Sequence, residues 1–145
     1  MISLIMNILY WIRNFRELSS TLSLMKLHDL KKLHDLEMFM LSFRYVPDKP
    51  FEWVPWESTA YHRFKDDCDG AAVLWNWGFK KLGLSSSMYK LKGKEGNHRI
   101  TISFNKTKKI TYIGSNNTLV KLKTDDWENE VLRWFDYKYT GIIKL

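Results

Sequence analysis

Between Ile2 and Leu18 apolar residues recur at Leu4, Ile8, Trp11, Phe15 and Leu18, the spacing of one helix face, and Ile5, Leu9 and Ile12 widen that stripe until little of the helix is polar. Such a helix needs cover on most sides. Packing against a core is the expectation, and an interfacial membrane helix or a partner-binding helix are the other ways to cover it. LSSTLS (18–23) reads as a break. Leu27, Leu30, Leu33 or Leu36, and Met40 then mark a second amphipathic helix. That stretch holds a near duplication, KLHDLK and KLHDLE, too short and too few for a repeat architecture. His28 and His34, six apart, fall on different helix faces, so solvated or capping roles are expected rather than a metal pair.

An aromatic, proline-punctuated run follows, FRYVPDKPFEWVPWESTAYHRF, in which Pro47, Pro50 and Pro55 forbid a continuous helix. It predicts a long ordered connection carrying Tyr45, Phe51, Trp53 and Trp56, with a short helical turn from Pro55 to about His62. From Cys68 the pattern Cys68, Ala72, Trp75, Phe79, Leu82 predicts a central buried helix. Lys80 and Lys81 suit its C-terminal dipole, and Gly83 suits a left-handed cap.

The period then changes from helix to strand. Met88–Lys92, His98–Phe104, Lys109–Ile113 and Thr118–Lys123 alternate or run extended between turn-like GKEGN, NKTK and GSNN, which predicts an antiparallel meander. His98 shares a strand face with Ile100, Ile102 and Phe104, the apolar and inward one. Asp125 with Glu128 has the form of a capping box for a last helix bearing Trp127, Val131, Trp134 and Phe135, and TGIIKL suits an edge strand. Helices, then strands, then a helix is an α+β order. One domain over 1–145 is expected, with a helical extension to residue 40, a core over 41–123, and a helix and tail over 124–145.

At 145 residues and 45% hydrophobic the chain can bury one core. Its net charge of +7 favours anionic partners. A single cysteine excludes an intramolecular disulfide framework and points to a reducing cytoplasm. No stretch has the run of apolar residues that a membrane span requires. The apolar N-terminus lacks the basic region and cleavage site of a signal peptide, so it is read as part of the fold.

The chemistry centres on DDCDG. A cysteine at a helix start faces unpaired backbone N–H groups able to stabilise a thiolate or an oxyanion. Cys68 there, His98 at the start of a strand and the polar cluster Gly114, Ser115, Asn116, Asn117 supply a nucleophile, a base and an orienter. The plainer reading is a packed cysteine, a strand-end histidine and a turn asparagine.

The stretches RYVPDKPFEWVPWES, DDCDGAAVLWNWGFKKLG, NHRITISF and ITYIGSNN, from about Phe43 to Asn117, together resemble the transglutaminase-like branch of the papain-like cysteine peptidases, above all its small bacterial and phage forms. The resemblance implies that the Cys68 helix packs on an antiparallel sheet, that Cys68 is the nucleophile and His98 the general base, and that Asn116, with Ser115 next, orients the imidazole. Asp67 and Asp69 match flanking aspartates that cap the helix. Asp66 stands where the family has glycine, and HRI where it commonly has HAW. The oxyanion donors implied are the Cys68 N–H and, second, a group from His62 or Tyr61.

DDCDG is not a calcium loop: with Gly70 sixth, the first and twelfth positions are Lys65 and Asn76. A Cys68/His98/aspartate metal site would be an uncommon zinc set. Lysines 90, 92, 94, 106, 108, 109, 121 and 123 with Arg99 have the composition of a nucleic-acid surface but accompany no recognised motif. The expectation is therefore a cofactor-free cysteine hydrolase or acyl transferase, foremost a peptidase, on a protein or peptide substrate. The alternative is a non-catalytic protein on the same fold that binds a host protein through its N-terminal helices, or, less readily, nucleic acid.

Overall fold

The structure is a computed structural model that describes residues 1–47 and 53–145. Pro50 and Phe51 of the aromatic run lie outside the described residues. In chain order the elements are α1 (Ile2–Arg13), α2 (Phe15–Leu27), α3 (Leu33–Leu41), β1 (Arg44–Tyr45), α4 (Glu57–Arg63), β2 (Lys65–Asp66), α5 (Cys68–Lys81), β3 (Ser87–Gly93), β4 (His98–Asn105), β5 (Ile110–Ser115), β6 (Thr118–Lys123), α6 (Trp127–Trp134) and β7 (Tyr139–Lys144). This is an α+β protein. Its five-stranded antiparallel sheet has the order β6-β5-β4-β3-β7, so the expected meander is present and the tail joins it as an edge strand beside β3.

The sheet is covered on both faces. On one, α5 buries Ala71, Leu74, Trp75 and Phe79 in a cluster shared with Leu36 and Met40 of α3. On the other, Val131 of α6 packs with Leu91, Ile100, Ile102 and Ile113. The two faces alternate along β4: Thr101 donates its hydroxyl to the Ala72 carbonyl at 2.6 Å on the α5 side, while Ile100 and Ile102 face α6. Gly114, paired with Thr101, lets β5 approach α5 closely, because a Cβ there would lie 2.2 Å from Trp75 Cγ.

Three helix boundaries depart from the sequence expectation, one of them the start of α6, where Asp126 rather than Asp125 is the cap and accepts from the Asn129 N–H at 3.4 Å. The first break falls at Asn14, whose side-chain Nδ2 donates to the Tyr10 carbonyl at 2.8 Å, a local bond that competes with continuation of the helix. LSSTLS stays helical, with Thr21 and Met25 buried one turn apart. The near-duplicated hexapeptide adopts two conformations. Its first copy ends α2, and its second starts α3, where Asp35 accepts from the Lys31 and Lys32 backbone N–H groups at 2.9 Å. His28 is packed beside Phe39 and Trp77 and bonds Tyr61, whereas His34 is exposed near Glu37.

Candidate active site

α5 begins at Cys68 because Asp67 caps it, accepting from the Asp69 N–H at 2.8 Å. As the first helical residue, Cys68 has a backbone N–H with no intrahelical acceptor. The thiol donates to Asp69 Oδ1 at 3.9 Å, and the sulfur in turn meets the start of β4, where the Arg99 backbone N–H is near enough to favour the thiolate. That contact sets the thiol against the peptide unit joining His98 to Arg99. Cys68 and His98 line one cavity of about 150 Å³, together with Asp67, Asp69, Lys90, Asn97 and Arg99.

His98 and Arg99 leave β4 on opposite faces. Arg99 takes the α5 side, its Nε 3.0 Å from Asp69 Oδ1 in a nearly buried ion pair. The N–H is not aligned on that oxygen, so the contact is charge pairing rather than a directed hydrogen bond. His98 takes the α6 side, stacked on Tyr139 with centroids 6.0 Å apart and edge-on to Phe135 at 5.7 Å. The apolar, inward face expected for His98 is thus one of two inward faces, and the helix covering it is α6. The ring is held there by Ser115, whose hydroxyl lies 2.8 Å from Nε2. Asn116 follows with a left-handed backbone, φ 50°, and its carbonyl accepts from Trp75 Nε1 at 2.7 Å. The residue bonded to the imidazole is therefore Ser115. Asn116 fixes the turn to the central helix.

Burial pushes the Cys68 thiol up to about 11; Asp69 and Asp67 add to the rise, and the Arg99 backbone N–H and guanidinium oppose it without cancelling it. Burial and the neighbouring Lys138 hold His98 below its ordinary value. The resting pair is consequently a neutral thiol and a neutral imidazole, in place of the thiolate–imidazolium pair that a cysteine at a helix start suggests.

Several expected neighbours are occupied elsewhere. His62 bonds Tyr10 through Nδ1 and lies 3.9 Å from Glu17, and the Tyr61 hydroxyl bonds His28 at 2.8 Å, so neither lines the Cys68 cavity as an oxyanion donor. Trp53 stacks under the Arg63 guanidinium at 4.3 Å and Trp56 borders a separate groove with Leu22 and Met25, so these aromatics do not wall the cavity. The aromatic walls around His98 come instead from Phe135 and Tyr139, beyond the stretch that carries the resemblance. Their approach depends on β7 pairing with β3, which local periodicity does not encode.

Asp67, Cys68 and Asp69 bring one donor atom each within 4.8 Å of one another. Asp67 caps the helix and Asp69 pairs with Arg99, so the fold already uses both carboxylates. Of the basic residues of the strands and the turns between them, Lys92, Lys94, Lys106, Lys108, Lys121 and Lys123 are exposed. Both sheet faces carry helices, Arg99 is paired inward, and Lys109 is paired with Asp125 at 2.9 Å. Among the described residues no helix is long and apolar enough to cross a membrane. No protein-family model, no curated protein and no solved structure matches this chain.

Proposed function

We propose that this chain is a cysteine-dependent hydrolase or acyl transferase acting on an amide or thioester, with peptide hydrolysis its leading reaction, on a transglutaminase-like core. One observation carries the reading: Cys68 at the start of α5 and His98 at the start of β4 line the same small cavity, with His98 oriented by Ser115. Because both groups rest neutral, the imidazole acts as a general base during attack. Its Nδ1 takes the thiol proton as the sulfur bonds to the carbonyl carbon. The oxyanion forms against the Cys68 N–H and the positive end of α5. Collapse expels the amine, which takes its proton from the imidazolium. Water, deprotonated by the same ring, then releases the acid and restores the thiol.

A thiol near 11 favours a second reading, an interaction protein that keeps the fold without the reaction. A fluorescent cysteine-directed acylating probe, together with a panel of peptide amides and thioesters, separates the two. Labelling and turnover that vanish in Cys68→Ala and fall at least about a hundredfold in His98→Ala support the enzyme. Labelling that His98→Ala leaves unchanged, with no turnover of any substrate, supports the interaction protein.

A further inference from the structure

Helix α1 is docked the wrong way round for a helix that packs by its apolar face. The side it turns to the domain carries Ser3, Asn7, Tyr10 and Trp11. Ser3 Oγ accepts from the Val54 N–H at 3.0 Å, Asn7 Nδ2 donates to the Val54 carbonyl at 3.0 Å, and Asn7 Oδ1 accepts from the Trp56 N–H at 2.8 Å. Trp11 Nε1 donates to Thr59 Oγ1 at 2.8 Å, and the Tyr10 hydroxyl bonds His62. The opposite side carries Ile2, Leu4, Ile5, Ile8, Leu9 and Ile12, each between 43% and 62% exposed. At 3.6 residues per turn these six fall within an arc of about 160° that holds no other residue type. The specific hydrogen bonds fix which side faces out, so the exposed aliphatic strip is a built feature of the fold.

We propose that this strip is a lipid-binding surface, on which the protein lies in the interfacial plane of an anionic bilayer. Charge favours lipid over a second copy. Arg13 borders the strip and Arg16 is exposed one turn further, the first acidic residue in the chain is Glu17, and Glu17 is turned toward His62. The chain carries +7 overall, which attracts anionic headgroups and repels another molecule of itself. Area points the same way. A helix of 12 residues is about 18 Å long, so its strip covers a few hundred Å² at most, well under the roughly 800 Å² per partner of a stable protein interface. The strip is also purely aliphatic, whereas protein interfaces are anchored by Tyr, Trp and Arg in pockets. A bilayer asks only for apolar area beside cationic groups, and Phe15, 67% exposed at the junction to α2, extends that area.

The test is co-sedimentation of the full chain with phosphatidylcholine vesicles, with and without phosphatidylserine, at low and high salt. Binding to the phosphatidylserine vesicles is expected, weakened by salt. It should fall at least about tenfold in I5E/I12E and about fivefold per charge in R13Q/R16Q, with I5L/I12L as the retained control. Both glutamates replace solvent-facing side chains, and an unchanged circular dichroism spectrum verifies that the variant is folded. Failure to bind phosphatidylserine vesicles overturns the proposal, as does binding that I5E/I12E leaves intact. A dimer in sedimentation equilibrium that I5E/I12E converts to monomer overturns it in favour of a second copy.

Discussion

Ser115 Oγ and His98 Nε2 lie 2.8 Å apart, a contact that ties the end of β5 to the first residue of β4 and leaves Nδ1 as the ring nitrogen not engaged by Ser115. A hydroxyl in this role fixes the ring but brings no full negative charge to stabilise an imidazolium. This agrees with a His98 that stays neutral at rest.

That contact separates two neighbouring residues by role. Ser115→Ala is expected to slow acylation of Cys68 by roughly tenfold or more, through loss of ring orientation, with little change in fold. Asn116→Gly removes a side chain from a left-handed backbone position, keeps the carbonyl that Trp75 uses, and is expected to leave the rate within about twofold. Stopped-flow acylation of both variants checks the assignment. A larger loss in Asn116→Gly than in Ser115→Ala would reverse it.

The pH dependence follows from the same pair. With the thiol near 11, alkylation of Cys68 by iodoacetamide should climb steadily above neutrality and show no plateau between pH 6 and 8, where a thiolate–imidazolium pair would give one. Under the proposed mechanism turnover needs neutral His98 and should fall off only below the ordinary histidine value of 6.5. Stability carries a sign as well. Below 9.0 the thiol is protonated in folded and unfolded chains alike; from 9.0 to about 11 the unfolded chain has lost the proton that the folded chain retains. Unfolding is therefore increasingly favoured as the pH rises through that window. Urea unfolding of wild type and Cys68→Ala at its two ends should show the wild type losing more stability than the variant.

Much of this layout is legible in the sequence. The change from helical to alternating period places β3 to β6 within a residue or two, and Asp67 before an apolar run marks the start of α5. What is not legible depends on partners distant in sequence. Alternation groups His98 with Ile100 and Ile102, but both faces of β4 are buried, and nothing local says that α6 rather than α5 covers that group. GSNN offers both Ser115 and Asn116, the resemblance points to Asn116 first, and the β4–β5 register is what brings the serine hydroxyl to the ring instead. The apolar stripe of α1 calls for cover, yet the side that docks is chosen by Asn7 and Trp11, whose partners Val54, Trp56 and Thr59 lie nearly fifty residues away.

The ion pair beside the thiol couples stability to reactivity. Arg99 and Asp69 are 11% and 6% exposed, so Arg99→Met withdraws the guanidinium from a carboxylate that stays largely out of water. A loss of about 3 kcal/mol in urea unfolding is expected. Asp69 opposes thiol ionisation and Arg99 favours it, so the variant's alkylation profile should also shift to higher pH. An unchanged profile would show that the Arg99 guanidinium does not act on the sulfur, directly or by shielding Asp69.

Gly114 is where the sheet and the central helix meet most closely. The ring that a new Cβ would strike belongs to Trp75, which is fully buried and anchored through Nε1, so it has no free direction in which to yield. Gly114→Ala is expected to cost about 1–3 kcal/mol through overpacking, read by chemical denaturation. It should also disturb the neighbouring Ser115 and slow acylation, and recovery of both in Gly114→Ala/Trp75→Leu would locate the cause in that contact.

The inverted docking of α1 makes opposite demands on its two sides. Asn7 is fully buried, donates to Ser3 and Val54 and accepts from Trp56, so Asn7→Ala leaves groups on both sides of the junction short of a partner. A destabilisation of about 2–3 kcal/mol is expected. With Asn7 and Trp11 the two buried side chains of α1, the loss should appear first as faster amide exchange in α1, before β4 and β5 are affected. Ile12→Gln, on the solvent side, should change stability by no more than about 0.5 kcal/mol. Hydrogen exchange and urea unfolding on the two variants decide the matter. A helix docked by its aliphatic face would give the reverse order, with Ile12→Gln the damaging change and Asn7→Ala the tolerated one.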